Sequence, residues 1–239
     1  MRGERMKPAE TELVSGHRVI AIDGPAASGK SSVAWQLADR LGFVYVNSGA
    51  MYRAVTWHVL DRGIDPADAT GIALLLEKTR VVCDLENNES RILIDGVDVA
   101  KHLRDVRVNE GVSLVSSVPR VRELLVARMR AYALDHDLVM EGRDIGSVVF
   151  PGTPYKFYID ASPEIRFRRR AAQGQPDQIA ARDRADSSRR DSPLTIAPDA
   201  AVIDSSEFTI AEVVDQIMAQ LQAKGFRMES APTDSTGMR

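Results

Sequence analysis

Residues 18–31 read RVIAIDGPAASGKS, an apolar run that ends in an aspartate and gives way at once to a loop bounded by glycines. Gly24 to Ser31, GPAASGKS, fits the spacing G-x-x-x-x-G-K-[ST]. Average residue frequencies make a chance match in a chain of this length on the order of a one-in-a-hundred accident. RVIAID has little polar alternation, as a strand covered on both faces requires, and a helical pattern runs over residues 30–41 to Gly42. A glycine-rich loop between strand and helix turns successive backbone N–H groups, and the positive end of the helix, toward one anion. In that reading Lys30 reaches the β- and γ-phosphates of a nucleotide and the Ser31 hydroxyl holds Mg²⁺. The bland alternative, a glycine-rich turn with an exposed lysine, leaves this context unexplained.

Outward from the loop the chain keeps one rhythm. Apolar runs at residues 43–46, 138–140, 155–160 and 201–204 read as further buried strands, and residues 119–134, 163–172 and 210–223 read as helices between or after them. Ser162 followed by Pro163, and Thr209 with Glu212 three residues on, are helix starts. Strands alternating with helices predict an α/β fold, a parallel sheet with helices on both faces. Residues 65–118 break the rhythm with a helix (DPADATGIALLLEKT) and a hairpin (RVVCDLENNESRILIDG) turned by Asn87, Asn88 and Ser90. That pattern predicts a subdomain added to the sheet. Residues 1–16 and 228–239 are polar and read as flexible tails.

Composition limits the partners. With 239 residues, 44% of them hydrophobic, the chain can bury one sizeable core, and 31 basic against 34 acidic residues leave a net charge of −3. Such a balance argues against a nucleic-acid polymer or an anionic membrane as partner, so any anion specificity must be local. A lone cysteine, Cys83, excludes an intramolecular disulfide, fits a reducing compartment and sits in a strand-like run. No apolar run approaches the ~20 residues that span a bilayer, and the N-terminal residues lack a signal peptide's apolar core, so a cytoplasmic protein is expected. His17, His58, His102 and His136 lack metal-ligand spacing, and Trp35 and Trp57 fall on helices as packing residues.

Four charged motifs remain. In VNSGAMYR, Ser48 reads as a helix cap and Arg53 either as a solvated residue or as a ligand for a second phosphate at the sheet's crevice. In VMEGRDIGSVVFPG charge appears where the strand at 138–140 must end, either as a structural ion pair or as a substrate site. SVPRVRELL opens a helix with Arg120 and Arg122. RDRADSSRRDSPL, from Arg182, reads alone as a solvated helix. Exposed ion pairs contribute roughly 0 to 1 kcal/mol, whereas an arginine on developing phosphoryl charge is worth about 10³ to 10⁵ in rate, or about 4 to 7 kcal/mol. Beside a phosphate loop, catalysis is the stronger reason to gather these arginines.

Taken together, GPAASGKSS, NSGAMYR, PRVR, EGRDIGSVVFP, DRADSSR with its following PL, and VIDSS resemble the bacterial cytidylate kinases, a family of P-loop nucleoside monophosphate kinases, over about residues 19–221. The resemblance implies a P-loop kinase fold over residues 17–227. Its five-stranded parallel sheet, flanked by helices, carries a monophosphate-binding insert at about 63–118 and a short helical lid at about 172–193. It implies transfer of the γ-phosphoryl group of ATP to CMP or dCMP, with Mg²⁺, by a monomer. ATP would lie on Gly24, Pro25, Ala26, Ala27, Ser28, Gly29, Lys30, Ser31 and Ser32. By motif position Ser48, Arg122, Asp144 and Arg189 are in reach of cytosine; Ser113, Arg182 and Asp186 lie near the sugar; Arg53 and Arg143 hold the α-phosphate. Lys30 and the lid residues Arg182, Arg184 and Arg189 are the catalytic candidates, with Arg190 a further phosphate contact. The lid departs from some members in carrying Ser187 and Ser188 where they have arginine and asparagine. The base chemistry agrees: a carboxylate accepts from the N4 amino group of cytosine and a guanidinium donates to N3 and O2, whereas uracil mispairs with both. A nucleotide-sensing switch, which would release no ADP on addition of an acceptor, and a kinase for another small acceptor, which would ignore CMP, are the rival readings; no NKxD guanine motif is present.

Overall fold

Alternation along the first strand, β1 (Val19–Asp23), decides which layer each side chain joins. Val19 and Ala21 enter one apolar cluster and Ile20 and Ile22 the other, so the strand is buried on both faces. A computed structural model of the chain describes residues 16–172, 183–184, 186–187, 192 and 194–227. Among these, the remaining strands are β2 (Val44–Asn47), β3 (Val81–Glu86), β4 (Glu89–Ile94), β5 (Val97–Asp98), β6 (Leu138–Gly142), β7 (Tyr155–Asp160) and β8 (Ala201–Asp204). The helices are α1 (Lys30–Leu41), α2 (Ser48–Asp61), α3 (Ala69–Glu77), α4 (Val106–Val115), α5 (Pro119–Asp135), α6 (Pro163–Ala172) and α7 (Ile210–Ala223).

The strands form one eight-stranded sheet in the order β3-β4-β2-β6-β1-β7-β8, with β5 alongside β4. The five strands from β2 to β8 in that order are parallel, as the alternating pattern predicts. Three more extend them. The β3–β4 hairpin is antiparallel and joins β2 in parallel through Tyr45 opposite Glu89, so the inserted hairpin continues the central sheet. On one face α1 and α7 pack through Val33, Leu37, Val214 and Ile217; on the other α2 and α5 pack through Met51, Val55, Val121 and Leu125. The Thr209–Glu212 capping box opens α7 as expected.

Two of the boundaries that differ from expectation have a cause in named hydrogen bonds. The strand predicted at 138–140 continues through Glu141 and Gly142, both buried, because the Glu141 carboxylate accepts a hydrogen bond from the Ser31 hydroxyl and need not reach water. The helix predicted from residue 65 begins at Ala69: Asp65 and Asp68 accept from the N–H groups of Ala67 and Gly71, closing a turn and a cap where a helix would otherwise start. No helix among the described residues is long and apolar enough to cross a membrane.

Parallel strands deliver their C-terminal ends to one edge, where the phosphate loop, the start of α2 and the Arg143–Asp144 turn meet. Arg122 reaches that edge from α5, whose inner face is anchored one turn later by fully buried Leu125. Leu125→Ala is expected to lower unfolding stability by about 2–5 kcal/mol, read from urea denaturation, through lost contacts and a residual cavity.

Candidate active site

The phosphate loop has the backbone that its glycines permit. Gly24 has φ 153°, and a Cβ there would lie 2.1 Å from the Ile159 carbonyl oxygen, so only glycine lets β1 leave the sheet against β7. Gly29, at φ 89°, caps α1. Lys30 is buried; its Nζ donates to the Pro25 carbonyl at 3.0 Å and lies 4.0 Å from Glu141 Oε2. Ser31 Oγ donates to Glu141 Oε1 at 2.8 Å. Ala27 and Gly29 line the same cleft, and Ser31 and Ser32 stand exposed at its mouth. The Ala26 N–H donates to Asp183 Oδ1 at 3.1 Å, and Arg166 from α6 bridges Asp183 and the Ala26 carbonyl.

The opposite end of this cleft, whose volume is about 560 Å³, is lined by charge. Arg122 and Asp144 form a buried ion pair, and the Arg122 guanidinium lies 5.6 Å from the centre of the Tyr52 ring. Ser48 is not the cap of α2, since the Asn47 side chain accepts from the Ala50 N–H in that role; Ser48 is buried in the first turn, its hydroxyl donating to the Glu141 carbonyl at 2.7 Å. Arg143 Nε donates to Asp186 Oδ2 at 2.9 Å and its terminal nitrogen to the Gly24 carbonyl at 3.0 Å. Asp186 also accepts from Ser113 Oγ at 3.2 Å. Arg53 donates to Asn109 Oδ1 at 3.4 Å. Burial, with the charges of Arg143 and Arg170 as further contributors, pulls the Arg53 pKa down to about 10. An anion there would relieve that repulsion. The cleft therefore has the glycine-rich loop at one end, converging cations in the middle, and a donor–acceptor pair at the other.

The profile of the family described as cytidylate kinase matches residues 20–223. The chain belongs to the cytidylate kinase family. It is 45% identical over 217 residues to a cytidylate kinase of Pelotomaculum thermopropionicum, covering 85% of this chain and 96% of that relative. It is 44% identical to those of Geobacillus kaustophilus, over 83% and 94%, and Mycobacterium avium, over 85% and 95%.

For this cytidylate kinase family chain, the structure brings Lys30, Ser31, Ser48, Arg53, Ser113, Arg143, Asp144 and Asp186 to the lining of one cleft, with Arg122 beside Asp144. Of the arginines expected in a lid, Arg184 is exposed, and Arg182, Arg189 and Arg190 lie outside the described residues, as do most of the positions predicted for the lid and nearly all of both tails. Sequence reasoning took Glu141 only as charge at a strand end and passed over Asp23, Asp183, Arg166, Arg169 and Arg170. The run RFRRR in α6 was an available signal for the last three. Asp23 carried one too, standing directly before the loop.

Asp23 links the two halves of the site. Its carboxylate oxygens accept from the Ile145 and Gly146 N–H groups, each at 2.8 Å, beneath the Arg143–Asp144 turn. Burial raises its pKa from 3.8 to about 6, against the pull of those two hydrogen bonds. The folded state thus holds this proton up to about pH 6, while the unfolded chain releases it near 3.8. Asp23 therefore favours folding most below the unfolded value, and that contribution is lost as pH rises through the folded one. Relative to Asp23→Asn, the wild type is expected to lose on the order of 3 kcal/mol of stability between pH 3.5 and pH 7, measured by urea denaturation across that range.

Proposed function

We propose that this single cleft aligns ATP on the phosphate loop with a cytidine monophosphate held between Arg53, Arg143 and the Arg122–Asp144 pair. The reaction is transfer of the γ-phosphoryl group of ATP to CMP or dCMP, giving ADP and CDP or dCDP. The observation that carries the division of labour is the buried Arg122–Asp144 pair at one end of the cleft that holds Lys30 and Ser31 at the other.

Phosphoryl transfer asks mainly for alignment and charge stabilisation, and the acceptor phosphate needs no general base. Lys30, buried and attached to the loop's own carbonyl, is positioned to shift onto the β- and γ-phosphates. Loop amides from Ala27 to Ser32 would cradle the donor. Arg53 and Arg143 would take the α-phosphate of the acceptor, where their mutual repulsion is relieved. Asp144 would accept from cytosine N4 and Arg122 donate to N3 and O2. With its proton given to the Glu141 carbonyl, Ser48 Oγ offers lone pairs, a second acceptor suited to an amino group. Asp186 and Ser113 would meet the sugar together with Arg182, while Arg189 reaches the base and Arg184 and Arg190 the phosphates when the lid closes. Closure would exclude water and limit ATP hydrolysis.

Mg²⁺ fits the donor set: the Ser31 hydroxyl and the Glu141 carboxylate are hard oxygen ligands at the loop, and one or two such groups plus phosphate oxygens suffice for this ion. When bound it would neutralise charge on the transferred group. The reading is of a cytoplasmic monomer, and light scattering on the purified protein is expected to give one chain's mass.

With Mg-ATP, ADP release is expected to be fast with CMP and dCMP and poor with UMP. Equal turnover of UMP would remove the cytosine assignment and leave the kinase. Lys30→Ala is expected to lower kcat by at least about 10²-fold. Asp144→Ala is expected to lower the CMP/UMP ratio of kcat/KM by about tenfold or more; an unchanged ratio counts against the role given to Asp144.

A further inference from the structure

Two segments far apart in sequence converge on one carbonyl of the phosphate loop. The Ser28 oxygen accepts from Ser205 Oγ at 2.8 Å and from an Arg169 terminal nitrogen at 3.2 Å. The same guanidinium also donates to Ser205, to Oγ at 3.0 Å and to the carbonyl at 2.7 Å, so Arg169 and Ser205 act as one unit. Ser205 is itself fixed: it is buried and its N–H donates to the Asp160 carbonyl at the end of β7. A Cβ on Gly29 would lie 3.5 Å from Arg169, which places the guanidinium directly behind the loop.

The peptide unit thus held joins Ser28 to Gly29. In a trans peptide the carbonyl and the following N–H point in opposite directions. Holding the Ser28 oxygen against α6 and the β8–α7 loop therefore turns the Gly29 N–H the other way, toward the phosphates. Gly29 has φ 89° and no side chain, so its own conformation offers little resistance to a flipped peptide. A flip would put a carbonyl oxygen where an anion must bind. We infer that Arg169 and Ser205 are positioning residues that clamp the Ser28 carbonyl outward and so keep the Gly29 N–H aimed at the nucleotide's phosphates. The clamp acts through the loop, with no contact to ATP required, and it favours ATP over the acceptor because Arg53, Arg122, Arg143 and Asp144 take no part in it.

This inference rests on ATP binding at the loop. Its test is the dissociation constant of ATP, by equilibrium titration, together with KM for both substrates, on the wild type, Ser205→Ala, Arg169→Met and the double variant. Losing the neutral donor is expected to weaken ATP about 2- to 10-fold and losing the charged one about 10- to 100-fold, with KM for CMP unchanged. The double variant is expected to lose less than the product of the two single effects, because both groups hold one carbonyl. Ser205→Thr, which keeps the hydroxyl, is expected to keep wild-type ATP affinity. If Ser205→Ala binds ATP as the wild type does while Arg169→Met does not, the clamp is overturned and Arg169 contacts the nucleotide directly. A matching rise in KM for CMP, or a Ser205→Thr loss equal to that of Ser205→Ala, also overturns it. A wild type that itself fails to bind ATP would instead overturn the reading of the loop, so the two failures are distinguishable.

Discussion

Parallel pairing of β1 with β6 sets Ile22 opposite Glu141 and Asp23 opposite Gly142, and almost everything in the cleft follows from that register. The two strands leave the sheet at the same level, so the phosphate loop and the Arg143–Asp144 turn emerge side by side. Arg143 can then donate to the Gly24 carbonyl, and Asp23 can accept from Ile145 and Gly146. A slip of one residue would send Glu141 to the opposite face, away from Ser31 and Lys30. Burial of both strands on both faces keeps such a slip costly.

Around that junction the site is held by charge arranged in depth. Glu141 and Asp144 are buried carboxylates, each answered by a neighbour that the chain supplies from elsewhere: Ser31 and Lys30 for one, Arg122 for the other. A buried ion pair is weak evidence for stability, since desolvation offsets much of the attraction. Its value here lies in geometry, because a carboxylate and a guanidinium fixed in one orientation present an acceptor and a donor edge together. The cations in the middle of the cleft repel one another, the arrangement expected of a site whose affinity is completed by an anionic ligand.

The phosphate loop, the alternating α/β order and the inserted hairpin were all legible in the sequence, because each rests on local rules. Glycine spacing, strand-to-helix succession and turn residues act over a few positions. Arg53, Arg122, Arg143 and Asp144 could be nominated, since charged residues beside strand ends and helix starts stand out. What each of them touches could not. Arg122 meets Asp144 across 22 residues and Arg143 meets Asp186 across 43, and no spacing rule reaches so far. Even the end of β6 was misjudged, because the partner that lets Glu141 stay inside the sheet lies 110 residues away.

By itself, then, the sequence determined the glycine-rich loop between strand and helix, the class of fold and the family, since those depend on residue types at short, fixed separations. Tertiary structure alone decided which carboxylate faces Ser31, which arginines crowd together, and that Arg169 and Ser205 close on Ser28 from 141 and 177 residues away. The physical reason is that hydrogen bonds and ion pairs select partners by distance and direction in space, and only the register of the packed strands brings those partners within reach.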